Sequence, residues 1–174
     1  MALKLGKINT MKVLRKVDFG MYLEGGPTGD ILLPKRYIPK GTKIGDELDV
    51  FVYLDQDERP IATTQKPYAM VGDFAYLRVA WTNEHGAFLD WGLMKDVFCP
   101  FREQKMRMEK DNSYIVHIHL DEESYRIMAS AKIEQFLSKD KPEYKVDDDF
   151  ESEVCLLPYQ RIHFVTDFVF GFIF

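Results

Sequence analysis

Val50-Phe-Val-Tyr-Leu-Asp55 and, 66 positions later, Val116-His-Ile-His-Leu-Asp121 share one apolar alternation. Val50, Val52 and Leu54 correspond to Val116, Ile118 and Leu120, whereas Phe51 and Tyr53 are replaced by His117 and His119. A period of two places alternate side chains on opposite faces of a strand. The set that repeats is therefore expected to face a core, and the set that changes is expected to face outward. Phe51 and Tyr53 are then available to support a contact between domains or to bind a base.

Working outward from these strands, the same offset holds without a gap from Gly6–Lys66 to Gly72–Lys132. Identities at Gly6/Gly72, Val13/Val79, Gly20/Gly86, Asp30/Asp96, Arg36/Arg102 and Ile61/Ile127 span the whole match, so the chain carries two copies of one small domain. The copies occupy 1–66 and 72–137. The linker 67–71, Pro67-Tyr-Ala-Met-Val71, is too short and too stiff to let them drift apart. Glycine-rich and polar breaks fall at Gly25–Gly29, Pro39–Asp46 and Asp55–Glu58, and a copy of about sixty residues reads as five short strands. That is the size of an OB-type barrel, which removes its own sheet edges by closure. The expected fold is all-β: tandem five-stranded barrels, then an incomplete or substituted third β unit in 138–174, behind the acidic linker Asp147-Asp-Asp149. A helical patch, Ile133-Glu-Gln-Phe-Leu137, precedes that linker.

Three motifs in order carry a resemblance. Asp18-Phe-Gly-Met-Tyr-Leu23 looks like the Asp-Phe-Gly-Ala-Phe-Val of S1 domains, Gly45–Asp55 looks like their Gly-Asp-x-Val-x-x-x-Val-x-x-x-Asp, and Arg59-Pro-Ile61 falls at their closing strand. The second copy supplies His85-Gly-Ala-Phe-Leu89, Asn112–Val116 and Tyr125-Arg-Ile127 in the same order. The tandem, with Leu33-Pro-Lys-Arg36 and Cys99–Gln104, resembles the bacterial conserved virulence factor B (YitL-like) family from Met1 to about Leu137. The resemblance implies OB folds, RNA binding without a catalytic step, and a regulatory role in virulence-associated gene expression.

Composition sets bounds on that expectation. With 46% apolar and 29% charged residues in 174, the chain is too hydrophobic to be disordered, and its net charge of −5 excludes a strongly basic nucleic-acid binder. The charge is uneven: +1 over Gly6–Lys66, −2 over Gly72–Lys132 and −5 from Ile133 onward. The first copy, with Lys12, Arg15 and Lys16 on its first strand, is thus the better surface for phosphate. Few phosphate contacts imply weak binding with a shallow salt dependence. Cys99 and Cys155 form no CxxC pair, no stretch has the length of a membrane span, and no apolar leader opens the chain. The expected setting is the cytoplasm, away from membranes, with no cofactor.

Sequence-tolerant single-strand binding needs flat rings for bases and cations for phosphates. Tyr22 and Phe88 have outward parity beside Met21/Leu23 and Ala87/Leu89; Phe19 and His85 stand at the glycine bend. Lys35, Arg36 and Arg102 follow a proline at the end of the third strand, with Phe101 beside them. These eight residues are the expected RNA site, and single-stranded RNA the expected partner. Two alternatives differ in class. A protein-interaction module would use the aromatic end Phe164–Phe174, which exposes too much apolar surface to hang free and could pair with a neighbouring barrel or a second copy. A metal-dependent enzyme would use His117 and His119 with Asp121, but their counterparts are Phe51, Tyr53 and Asp55, so a metal centre does not come with the fold.

Overall fold

A computed structural model describes residues 3–137 and, as backbone strands, 151–156 and 161–165. Strands β1 (Ile8–Val17), β2 (Gly20–Leu23), β3 (Ile31–Pro34), β4 (Glu47–Leu54) and β5 (Pro60–Thr63) close a barrel in the order β1-β2-β3-β5-β4. All contacts are antiparallel except β3 with β5, where Leu32 lies beside Ile61 in a parallel pair. The second copy repeats the arrangement with β6 (Phe74–Thr82), β7 (Gly86–Asp90), β8 (Val97–Pro100), β9 (Ser113–Leu120) and β10 (Ile127–Ser130), including the parallel pair Met128/Phe98. The all-β tandem barrels are as the sequence predicts.

Gly20 and Gly86 show why the glycine recurs at the bend. A Cβ at Gly20 would lie 2.3 Å from the Leu33 carbonyl oxygen, and one at Gly86 would lie 2.3 Å from that of Cys99. Only glycine lets β2 and β7 approach their neighbours this closely. The bend is pinned from the other side in both copies: the Lys35 amide donates to the Phe19 carbonyl at 2.9 Å and the Phe101 amide to the His85 carbonyl at 3.1 Å.

The barrel interior follows the period-two pattern. Met11, Val13, Leu23, Ile31, Leu33, Val50 and Val52 fill the first barrel, and Leu77, Val79, Leu89, Val97, Val116 and Ile118 fill the second. The opposite face of β4 departs from the pattern. Phe51 is fully buried and Tyr53 nearly so, both joined to the second barrel's core cluster. Phe51 meets Trp91 edge-on with centroids 5.6 Å apart. Rather than facing solvent, this side of β4 is a seam between the barrels, so of its two expected uses the domain contact is the one realised. The two interiors are consequently joined by a third, shared apolar layer. Polar links continue it: Lys95 Nζ donates to the Asp55 carbonyl at 2.7 Å, and Arg126 pairs with Glu58.

His117 also departs from the outward expectation. It is 9% exposed, stacked against Phe136 at 3.9 Å, with His119 5.1 Å from the same ring. The helical patch is a single 3-10 turn, Ile133–Gln135, whose following residue supplies that cover. Beyond it, β11 (Glu151–Leu156) and β12 (Arg161–Val165) form an antiparallel hairpin, and β11 lies parallel to the start of β6. The acidic run Asp147–Asp149 and the aromatic end from residue 166 lie outside the described residues. Among the described residues no helix is long and apolar enough to cross a membrane.

Candidate nucleic-acid interface

A β-bulge sets the geometry of each barrel's open face. In β1 the pairing with β2 shifts between Val13 and Arg15, and in β6 the pairing with β7 shifts between Val79 and Trp81. The inserted residues, Leu14 and Ala80, are 66 positions apart, so the bulge belongs to the repeat. Without it Arg15 and Trp81 would share the core face of Val13 and Val79; with it they sit opposite Tyr22 and Phe88.

The result is one arrangement built twice from different chemistry. In the first barrel the Arg15 guanidinium lies 4.1 Å above the Tyr22 ring and pairs with Asp30 at 3.0 Å. In the second, the Trp81 indole lies 3.7 Å above the Phe88 ring at an interplanar angle of 4°, and its Nε1 donates to Asp96 at 3.0 Å. Burial holds the Asp96 carboxyl above the usual carboxylate range, with the indole hydrogen bond pulling the other way. Phe98 extends the second stack, 4.8 Å from Phe88. Phe19, exposed at the bend, meets Tyr22 edge-on at 6.4 Å.

Residues 5–65 match the S1 domain family. The match covers the first barrel. An uncharacterized protein YitL of Bacillus subtilis is 31% identical over 96 residues, which is 55% of this chain and 32% of that protein. Among solved structures, a multidomain protein with nucleic acid binding domains from Streptococcus pneumoniae superposes with a TM-score of 0.64 at 19% identity, covering 84% of this chain and 53% of the other. The chain thus spans about a third of the curated relative and about half of the solved one. The resemblance to S1 domains and to the YitL-like family is borne out.

Across the two barrels the expected site residues fall into two groups. Phe19 and Tyr22 meet at the bend of the first barrel, and His85 and Phe88 line one cavity in the second. Lys35 and Arg36 lie in a 3-10 turn tied to Phe19 through the backbone, exposed and, among the described residues, without an acidic partner. Arg36 also lies over the Tyr37 ring at 4.7 Å. The second copy differs: Arg102 is paired with Asp121 at 2.9 Å, and one face of Phe101 is covered by Arg107 at 3.6 Å. Asp121 and Asp55 serve as turn residues before the closing strands. Asp55 accepts from the amides of Asp57 and Arg59 and from the Arg59 guanidinium, and hydrogen bonds from Arg59 hold its carboxyl low against a desolvation that raises it.

Trp81, Asp30, Asp96 and Phe98 were not among the expected residues. The offset identity Asp30/Asp96 is the one signal in the sequence that points at them. His117 and His119 gain no third ligand-type side chain among the described residues.

Proposed function

We propose that this protein binds single-stranded RNA, weakly and with little sequence preference, through the open face of each barrel and without a catalytic step. The observation that carries the reading is the repeated stack, Arg15 on Tyr22 and Trp81 on Phe88, each fixed by an aspartate. Flat rings presented on an OB-type sheet with cations nearby are the ingredients of single-strand recognition. The two copies divide the work. The first supplies cations, through Arg15, Lys35 and Arg36; the second supplies the larger π surface, through Trp81, Phe88 and Phe98. The S1 match and the nucleic acid binding domains of the Streptococcus relative support this reading, and a cytoplasmic regulatory role in gene expression accords with it. Two modules joined by a five-residue linker gain avidity, with an effective concentration of order millimolar.

The experiment is fluorescence anisotropy of short labelled RNA oligomers against the full chain over a salt series. Binding that weakens with salt, and weakens further in Tyr22→Ala with Phe88→Ala, is expected. No salt-sensitive change, or the same affinity in the double variant, overturns the reading.

A further inference from the structure

A cavity of about 380 Å³ lies where the first barrel's Asp55–Arg59 loop meets the β7–β8–β10 face of the second. It is built by neither barrel alone. Tyr53, Leu54 and Glu58 come from the first; Phe88, Trp91 and Phe98 come from the second. Its volume stands near the lower limit for ligand pockets, roughly 300–1,000 Å³, which suits one planar group and not a longer segment.

Three observations select the occupant. The walls carry the rings of Tyr53, Phe88, Trp91 and Phe98 among aliphatic and charged side chains, and Phe88 and Phe98 belong at once to the cavity and to the exposed Trp81 stack, so the platform runs into the cleft without a break. The charged lining balances: Lys95 and Arg126 against Glu58 and Asp96, with Lys95 committed to the Asp55 carbonyl and Arg126 to Glu58. A balanced lining favours an uncharged ring with polar edges over a phosphate. On the other side, Tyr22 pairs with Leu32 and Leu32 with Ile61 across β2, β3 and β5, and Ile61 packs against the second barrel's core cluster, so the strand pairs lead from the Tyr22 face towards the seam that holds the cleft.

We propose that this inter-barrel cleft takes one unstacked nucleobase of a bound single strand, which passes from the Tyr22 face to the Trp81 face across it. The inference rests on the RNA-binding reading above. It makes the tandem, and not the isolated barrel, the unit that sets the path of the strand, and it predicts a base contact touching both barrels.

Two variants of the full chain test it. Leu54→Trp fills the cleft from the first barrel's side, and Arg126→Gln breaks the Arg126–Glu58 pair that ties the two rims of the cleft together; neither lies in the Trp81–Phe88 or Arg15–Tyr22 stack. The probe is a short oligouridine RNA, followed by anisotropy, and the same RNA carrying 4-thiouridine, cross-linked by light and mapped by peptide mass. Loss of one base contact lowers affinity by about tenfold. The native chain is expected to cross-link both in the Tyr53–Glu58 segment and in the Lys95–Phe98 segment, and both variants are expected to bind more weakly and lose these adducts. Should Leu54→Trp fail to keep the native melting transition, Arg126→Gln carries the test. Native affinity with adducts confined to the open faces overturns the cleft and leaves RNA binding standing, whereas no binding by the native chain removes both.

Discussion

The indole of Trp81 and the ring of Phe88 lie 3.7 Å apart and within 4° of parallel, directly opposite one another across β6 and β7. Such contact gives two-ring thickness to one side of the barrel while leaving Trp81 44% exposed. A hydrogen bond to Asp96 fixes the indole edge, so the exposed face is presented at little further entropic cost. Its counterpart, Arg15 above Tyr22, presents a cation at the same place.

The two faces should therefore fail differently. Trp81→Ala is expected to cost about 1–3 kcal/mol of RNA affinity with the salt slope unchanged. Arg15→Ala is expected to lower the slope by about one unit across all sequences. Salt titrations of both variants check this, and identical slopes in the two would refute the division of labour.

Removal of a seam side chain should uncouple the unfolding of the two barrels. Phe51 is fully buried against Trp91 although its strand belongs to the first barrel. Phe51→Ala is expected to cost about 3–5 kcal/mol and to split a single unfolding transition into two. Urea unfolding followed by tryptophan fluorescence, which reports only on Trp81 and Trp91 in the second copy, together with circular dichroism is the check; coincident, unshifted curves would mean that the seam carries no coupling.

Acid should loosen the cover over β9. Burial foremost, then the neighbouring His119, lowers the His117 pKa below 6.5, while Asp73 and the Gly72 backbone act in the opposite sense. The unfolded chain takes up the proton first, so the contribution is complete above about pH 6.5 and is lost as pH falls through the lower folded value. His117→Gln is expected to flatten the decline in melting temperature between pH 7 and pH 5. An equal decline in native and variant would assign the pH dependence to other groups.

Cys99 should be inert in the folded protein. Its side chain is fully buried and burial pushes the thiol up to about 12, so almost no thiolate exists near neutrality. Iodoacetamide at pH 8 is expected to leave Cys99 unmodified until denaturant is added, as read by peptide mass mapping. Rapid labelling of the native chain at that position would contradict the barrel core.

Much of this was legible in residues. The offset of 66 and the alternation at Val50–Leu54 lead directly to two barrels, and parity places Tyr22 and Phe88 outward beside Met21 and Ala87. Parity says nothing of the partnership of Arg15 with Tyr22 or of Trp81 with Phe88, because it is a bulge at Leu14 and Ala80, which leaves no compositional trace, that sets them opposite one another. His117 is a comparable case: it looks like a surface histidine until Phe136, nineteen positions away, is found to cover it.

Local sterics and hydrophobic period are properties of neighbouring residues, so strands, bends and the repeat are determined by the sequence alone. Burial of an outward face depends on which distant surface meets it. Phe51 and Tyr53 have the same parity as Tyr22, yet they are closed off by Trp91 and the second barrel while Tyr22 stays partly open. Only the tertiary structure decided that, by spending one outward face on joining the barrels and leaving the other for a ligand.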